Sequence, residues 1–159
     1  MNLVPTPPDA AAFAPFGAII DAPGALGERK MFSDWLRPVA GLSLQFHINA
    51  IAPAPLVLTQ IERHPHAAQA FVPMEVSRYV VTVAPPTAEG APDMARAVCM
   101  LLPGTLGVVY RAGVWHAGVT VLDRDAHFAV LMYRGAPDDD VIQQIAPVII
   151  LSQPIKAHA

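Results

Sequence analysis

Short apolar runs, each ended by a proline, glycine or aspartate, limit what this chain can fold into. The runs are rich in valine and isoleucine, and the 159-residue sequence also contains 17 prolines and 10 glycines. Because proline cannot donate to a central strand ladder and glycine supplies the positive φ of turns, the connecting segments are expected to be mostly turns. Strands are predicted at residues 42–48, 56–61, 70–72, 79–83, 96–102, 107–110, 119–121 and 128–133.

Eight short strands with little helix between them predict an all-β sandwich or jelly roll. Two short helical segments are expected beside the strands. One covers residues 10–14, after Pro7 and Pro8, and ends at Pro15. The other begins at Asp138–Asp140, near the C-terminus, and runs toward Ile145. A chain of this length buries about 70% of its unfolded surface, so residues 1–159 are expected to form one domain.

Charge and cysteine content exclude several classes of protein. Lysine and arginine total 10 against 13 aspartates and glutamates, and the net charge is −3 with no basic run, so we expect no nucleic-acid partner. Cys99 is the only cysteine and lies in an apolar run, which predicts a buried filler and no intrachain disulfide. No segment approaches the ~20 apolar residues of a membrane span, and no secretion signal is recognisable. We therefore expect a cytoplasmic protein with no membrane partner.

Polar side chains concentrate in two segments of this otherwise apolar sequence. Glu62 and His64 are two residues apart on a predicted strand and so share a face, and Gln69 can meet them from the next strand. The spacing Glu-x-His-x4-Gln resembles the His-x-His-x4-Glu metal motif of cupin barrels, and Gly113 to His116 matches the Gly-x-x-His end of their second motif. A carboxylate and two imidazoles suit one divalent transition metal, with the amide oxygen as a weaker fourth ligand.

Other residues near these segments have candidate roles. Arg111 is a candidate for binding a substrate carboxylate, because a guanidinium can bind one through two parallel bonds. Trp115 is a second candidate for substrate contact, with core packing as the alternative. Arg63 should point to the face opposite the cluster and act as a structural or solvated charge. His66 is expected to be exposed, and His158 to be inert.

These residues lie in a sequence that resembles the ureidoglycolate lyase family, also called ureidoglycolate hydrolase. The segment LVLTQIERHPHAAQAFVP at 56–73 is similar to the signature of that family. Further matches are FAPFG at 13–17, GVWH at 113–116 and Arg134-Gly135. The resemblance implies a cupin-type β-barrel that is usually dimeric. It also implies cleavage of ureidoglycolate to glyoxylate and urea, a carbon–nitrogen lyase reaction of allantoin and purine degradation.

Carried onto this chain, the resemblance suggests roles for four residues. His64 or His116 would be the general base, Glu62 would orient the base or help to hold a metal, and Gln69 would hydrogen-bond the ureido group. The metal, if one is bound, would be held by Glu62, His64, Gln69 and His116. No organic cofactor is expected.

The sequence also departs from the pattern of the family. The departures are Ile48, Arg111, Ala117, His127 and Tyr133. Exchanges within a polar pocket can redirect substrate choice, because mismatched groups are left unpaired. Two alternatives therefore stay open: a cupin enzyme acting on another small hydroxy or ureido acid, and a cupin that binds a small metabolite without chemistry.

Overall fold

A computed structural model describes residues 1–151 of the chain. Its helix, α1, is Ala10–Phe13. Its strands are β1 Asn2–Leu3, β2 Gly17–Ile20, β3 Ser43–Ile51, β4 Val57–Arg63, β5 Gln69–Glu75, β6 Arg78–Ala84, β7 Val98–Pro103, β8 Gly107–Tyr110, β9 Trp115–His116, β10 Thr120–Leu122, β11 Ala126–Arg134 and β12 Val141–Ile150. Each of the eight predicted runs overlaps one of these strands, which confirms the strand predictions, whereas β1, β2, β9 and β12 were not among them.

The strands form two sheets with a packed interior between them. The first sheet has the order β1-β12-β4-β9-β6-β10, with β7 also paired to β6, and the second has the order β2-β8-β5-β11-β3. Their inward-facing side chains, together with Phe13 of α1, form a core rich in aromatic rings that includes Phe71, Tyr79, Tyr110 and Phe128. The all-β, cupin-like jelly-roll prediction is therefore confirmed.

The predicted N-terminal helix is present, and its start has a clear cause. The Asp9 carboxylate accepts hydrogen bonds from the backbone N–H groups of Ala11 and Ala12, at 2.9 and 3.0 Å. This side chain satisfies donors that have no partner within the first turn of a helix. Cys99 is buried, as expected. Within residues 1–151, no helix is both long enough and apolar enough to cross a bilayer.

The predicted helical segment near the C-terminus is wrong. Residues 141–150 form β12, which pairs with β4 in antiparallel register. β-branched residues cluster at both ends of this segment and favour a strand. Pro147 lies within an interruption of the pairing register, where a missing N–H is tolerated. The prediction of one domain over 1–159 stays a prediction, since residues 152–159, His158 among them, lie outside the described residues.

Gly17 marks a close approach of strands β2 and β8. A Cβ atom at this position would lie 1.8 Å from the carbonyl oxygen of Val109 on β8. We expect Gly17→Ala to lower the free energy of unfolding by about 2 kcal/mol, because the β2–β8 pair must separate to admit the methyl group. Urea denaturation measures this change.

Gly118 provides a matched control, since a Cβ there would meet no atom within 4 Å. Gly118→Ala should change the free energy of unfolding by less than about 0.5 kcal/mol. Equal stability of the Gly17→Ala protein and the unmodified protein would contradict the close approach of β2 and β8.

Candidate active site

Glu62 and His116 face each other on neighbouring strands of the first sheet. The two residues are direct partners in the antiparallel register of β4 and β9, which places their side chains on one face. Glu62 Oε1 lies 3.7 Å from His116 Nε2. The histidine side chain is 1% exposed and the glutamate side chain is 31% exposed, so the imidazole forms the floor of the site and the carboxylate reaches solvent.

His64 lies just beyond the end of β4, in a segment held by two distant parts of the chain. Its carbonyl oxygen accepts a 2.7 Å bond from the N–H of Gly113, whose φ of 78° suits a glycine. Its ring Nδ1 is 3.0 Å from the carbonyl oxygen of Asp139 and 3.0 Å from a carboxylate oxygen of Asp140. These contacts bring the imidazole within 5.1 Å of the His116 ring, centroid to centroid.

Gln69 reaches the cluster from the opposite sheet, at the start of β5. Its Oε1 lies 3.1 Å from His116 Nε2, and its Nε2 donates to the sulfur of Met132 at 3.4 Å. The structure therefore brings together the four residues that the sequence placed in one site. One ligand atom each from Glu62, His64 and His116 lies within 4.8 Å of the other two.

Both imidazoles hold one ring nitrogen against a backbone carbonyl. His116 Nδ1 is 2.9 Å from the carbonyl oxygen of Val114, and His64 Nδ1 is 3.0 Å from that of Asp139. A carbonyl oxygen can only accept, so each Nδ1 carries a proton, and Nε2 is the acceptor whenever the ring is neutral. His64 Nε2 is buried and has no hydrogen-bond partner within residues 1–151. Buried polar atoms of this kind usually have a partner, such as a water molecule or an ion.

Burial controls the charges of the cluster. It lowers the pKa of His116 to about 3, with the nearby His64 adding to the effect and the Val114 carbonyl opposing it. His116 is therefore neutral at pH 7. Burial also raises the pKa of Glu62, and the Asp140 carboxylate adds to the rise, whereas His64 and Arg134 oppose it. His116 Nε2 and Gln69 Oε1 are then both acceptors, so no hydrogen lies between them. A cation bound by both atoms, or rotation of the Gln69 amide so that its NH₂ group faces the ring, would satisfy them.

Three charged residues around the cluster were missed by the sequence reasoning. The Arg134 guanidinium forms two hydrogen bonds with the Asp140 carboxylate, one of 3.0 Å. Its Nε also lies 3.9 Å from Asp139. This pairing lowers the pKa of Asp140 and holds the 136–140 turn beside His64. Arg134 was noted only as part of the family resemblance, so its contacts could not be inferred.

The structure shows other contacts for Arg111 and Trp115, and their predicted contact with substrate stays a prediction. The Arg111 guanidinium stacks on Trp35, with 4.5 Å between its central carbon and the ring centroid. Trp115 is buried in a separate apolar cluster, where its N–H donates to the carbonyl oxygen of Gly90 at 3.0 Å. Trp115 packs on the side of the sheet away from His116, because neighbouring strand residues face opposite ways.

Two further sequence expectations match the geometry. The Arg63 guanidinium stacks over Trp115, 4.7 Å from the ring centroid, and so faces away from Glu62. His66 is half-exposed and pairs with Asp138 at 2.7 Å. Neither residue belongs to the cluster. Arg63 is thus a structural charge, and His66 lies at the surface.

Comparison with known proteins agrees with this geometry. The model of the family described as "Ureidoglycolate lyase" matches residues 1–150. The chain belongs to the ureidoglycolate lyase family. A ureidoglycolate lyase of Burkholderia cepacia is 39% identical over 142 residues, which cover 79% of this chain and 76% of the relative. A ureidoglycolate lyase of Azotobacter vinelandii is 33% identical over 145 residues, which cover 79% and 81%. RmlC from Streptococcus suis, a solved structure in complex with dTDP-D-xylose, aligns with a TM-score of 0.46 and 10% identity, over 60% of this chain and 46% of that one.

The five departures from the pattern of the ureidoglycolate lyase family all lie outside the four-residue cluster. Ile48 is exposed on β3, and Tyr133 lies on β11 with its side chain on the outer face of the second sheet. Ala117 is buried in an apolar cluster, and His127 is 3.9 Å from Glu75. With Arg111 stacked on Trp35, the departures change the surroundings of the cluster and not its four members.

Proposed function

We propose that this protein cleaves ureidoglycolate to glyoxylate and urea, a reaction of allantoin and purine catabolism. Membership of the ureidoglycolate lyase family makes the chain a lyase. The observation that carries the proposal is the convergence of one carboxylate with two bare imidazole nitrogens. The departures from the family pattern leave these groups intact, which favours this substrate over another small hydroxy or ureido acid and over a binding protein without chemistry.

The substrate decomposes by proton transfer together with cleavage of one carbon–nitrogen bond. Its central carbon carries a hydroxyl, a carboxylate and a ureido nitrogen. A base takes the hydroxyl proton, the oxygen forms the carbonyl of glyoxylate, and the carbon–nitrogen bond breaks. The protonated base then returns the proton to the departing nitrogen, which leaves as urea. The site must therefore polarise the hydroxyl, accept its proton and hold the ureido group in place.

His64 is better suited than His116 to accept a proton. Its Nδ1 is backed by the Asp140 carboxylate as well as by a carbonyl, and a carboxylate stabilises an imidazolium. His116 is fully buried, its Nδ1 faces only a neutral carbonyl, and its pKa is about 3. In a site without metal, we assign the base to His64 Nε2 and a hydrogen bond to the ureido group to Gln69.

The donor set also fits one divalent transition metal, and we propose that the active enzyme binds one. Glu62, His64 and His116 would hold the ion, with the Gln69 oxygen beside them. Both imidazoles have the Nδ1–H to carbonyl contact typical of metal-binding histidines, and three nearby carboxylates face only one guanidinium. A bound ion would supply positive charge that polarises the hydroxyl and carboxylate oxygens of the substrate.

The catalytic assignment is tested by substitution within the cluster. We expect Glu62→Gln and His64→Asn each to lower kcat/KM for ureidoglycolate by roughly 10²- to 10⁴-fold, because each removes a group that handles charge at the reacting hydroxyl. Glyoxylate release is the measurement, with circular dichroism to confirm folding. His66→Asn is the control and should change kcat/KM less than twofold, because His66 contacts Asp138 outside the cluster. Full activity of either cluster variant would refute the assignment.

The metal proposal has a separate test. After dialysis against a chelator, we expect the rate of glyoxylate release to fall at least tenfold and to return on addition of Mn²⁺, Co²⁺, Ni²⁺ or Zn²⁺. Metal analysis should find about one ion per chain in the active protein and much less in Glu62→Gln, which lacks one ligand charge. Undiminished activity in metal-free protein would leave His64 as the base in a site without metal.

We also propose that the protein is a homodimer joined through β3. Within residues 1–151 this strand is an edge of the second sheet and pairs only with β11. Its outward side chains Leu44, Phe46 and Ile48 are 51%, 65% and 48% exposed. None of its nine residues is a lysine, arginine, aspartate or glutamate, the residues that usually protect an exposed edge. A second copy placed antiparallel would cover this apolar stripe and pair the free backbone edge.

Light scattering on the purified protein checks the dimer. We expect the mass of two chains for the unmodified protein and of one chain for Phe46→Glu, because the new charges would be buried against each other. Val57→Glu changes an exposed apolar residue of the other sheet and should remain dimeric. An unchanged mass in Phe46→Glu would contradict the β3 interface. The cytoplasm stays the predicted compartment, to be checked by cell fractionation.

A further inference from the structure

Two buried tyrosines in the core differ in how their hydroxyl groups are satisfied. Tyr79 on β6 donates its hydroxyl to the carbonyl oxygen of Leu106 at 2.7 Å. The Tyr110 hydroxyl on β8 is also buried but has no hydrogen-bond partner within residues 1–151. A buried hydroxyl without a partner costs about 1–3 kcal/mol. Packing therefore explains why the ring of Tyr110 is buried, but it does not explain why a hydroxyl is buried there.

The position of Tyr110 places its ring beside the candidate active site. Its ring lies parallel to the His116 imidazole, with 4.3 Å between centroids and 16° between planes. Tyr110 is also the direct strand partner of Gln69, so the two side chains share the inner face of the second sheet. Tyr110 thus borders two of the four cluster residues.

The other sides of the ring are closed by apolar groups. Phe13 and Phe71 each meet it edge-on, with centroids 6.1 Å away. Burial, together with the nearby Tyr79 and the charge of Glu62, raises the pKa of Tyr110 well above its ordinary value. The hydroxyl is therefore protonated at neutral pH and acts as a hydrogen-bond donor.

We propose that the Tyr110 hydroxyl donates a hydrogen bond to a carboxylate oxygen of the bound substrate, an inference that rests on the proposed lyase function. A neutral O–H bonds more strongly to a charged acceptor than to a neutral one, which favours the substrate carboxylate over its ureido oxygen. Tyr110 is then a substrate-binding residue. It fills the place that the sequence gave to Arg111.

The test removes a single oxygen atom. In Tyr110→Phe, kcat/KM for ureidoglycolate and the affinity for the product glyoxylate should each fall at least tenfold. Affinity for urea should change less than twofold, because urea carries no carboxylate. The melting temperature of Tyr110→Phe should stay the same or rise, since the variant no longer buries an unpartnered hydroxyl.

Tyr79→Phe is the matched control. It also removes one buried hydroxyl, but it leaves the Leu106 carbonyl oxygen without its hydrogen-bond donor. We therefore expect a lower melting temperature and an unchanged affinity for glyoxylate. If Tyr110→Phe binds glyoxylate as tightly as the unmodified protein does, the inference is overturned and the hydroxyl binds at most a structural water. If urea affinity falls instead, the assignment to the carboxylate is wrong.

The two proposals fail in different ways. An unmodified protein that binds glyoxylate but does not cleave ureidoglycolate would overturn the lyase function, and the loss of glyoxylate affinity in Tyr110→Phe would still support the inference. An active unmodified protein with an equally active Tyr110→Phe variant would overturn the inference and retain the lyase function. An unmodified protein that neither binds glyoxylate nor cleaves ureidoglycolate would overturn both.

Discussion

The site depends on two hydrogen bonds from imidazole rings to backbone carbonyls. His64 donates from Nδ1 to Asp139, and His116 donates from Nδ1 to Val114. These bonds place the proton of each neutral ring on Nδ1 and leave Nε2 as the acceptor, and His116 Nε2 lies 3.7 Å from Glu62. Reversed rings would place N–H groups in the centre of the cluster, where they could neither bind a cation nor accept a proton. Backbone positions therefore determine the chemistry that is open to these side chains.

Much of the fold could be predicted because strand signals are local. Apolar residues that alternate within a short run imply one buried face, and proline or glycine at the ends implies turns, so eight of the twelve described strands were found from sequence. The segment after Asp138 was misread because acidic residues often begin helices. In the structure these acids serve distant groups instead: Asp138 contacts His66, Asp140 contacts Arg134, and Asp139 accepts from the N–H of Gly135. No local pattern reveals such a partner.

The candidate site was predictable to the same extent. Strand alternation and motif spacing are enough to bring Glu62, His64, Gln69 and His116 together. The contact between His64 and Asp139 joins residues 75 positions apart and depends on how β12 pairs with β4, which the sequence did not show. Arg111 was a reasonable carboxylate partner by residue type. Its guanidinium instead stacks on Trp35, from a loop whose path could not be inferred.

Charge balance links the proposed substrate to the proposed metal. The carboxylates of Glu62, Asp139 and Asp140 face one guanidinium, that of Arg134, which already pairs with Asp140 and lies near Asp139. His116 is neutral, and an anionic substrate would add another negative charge. Two like charges 4 Å apart near a protein surface repel by about 4 kcal/mol, more than one hydroxyl hydrogen bond offsets. A divalent ion among the ligands would reverse that balance, so the proposed metal would favour binding of the anionic substrate that the proposed function requires.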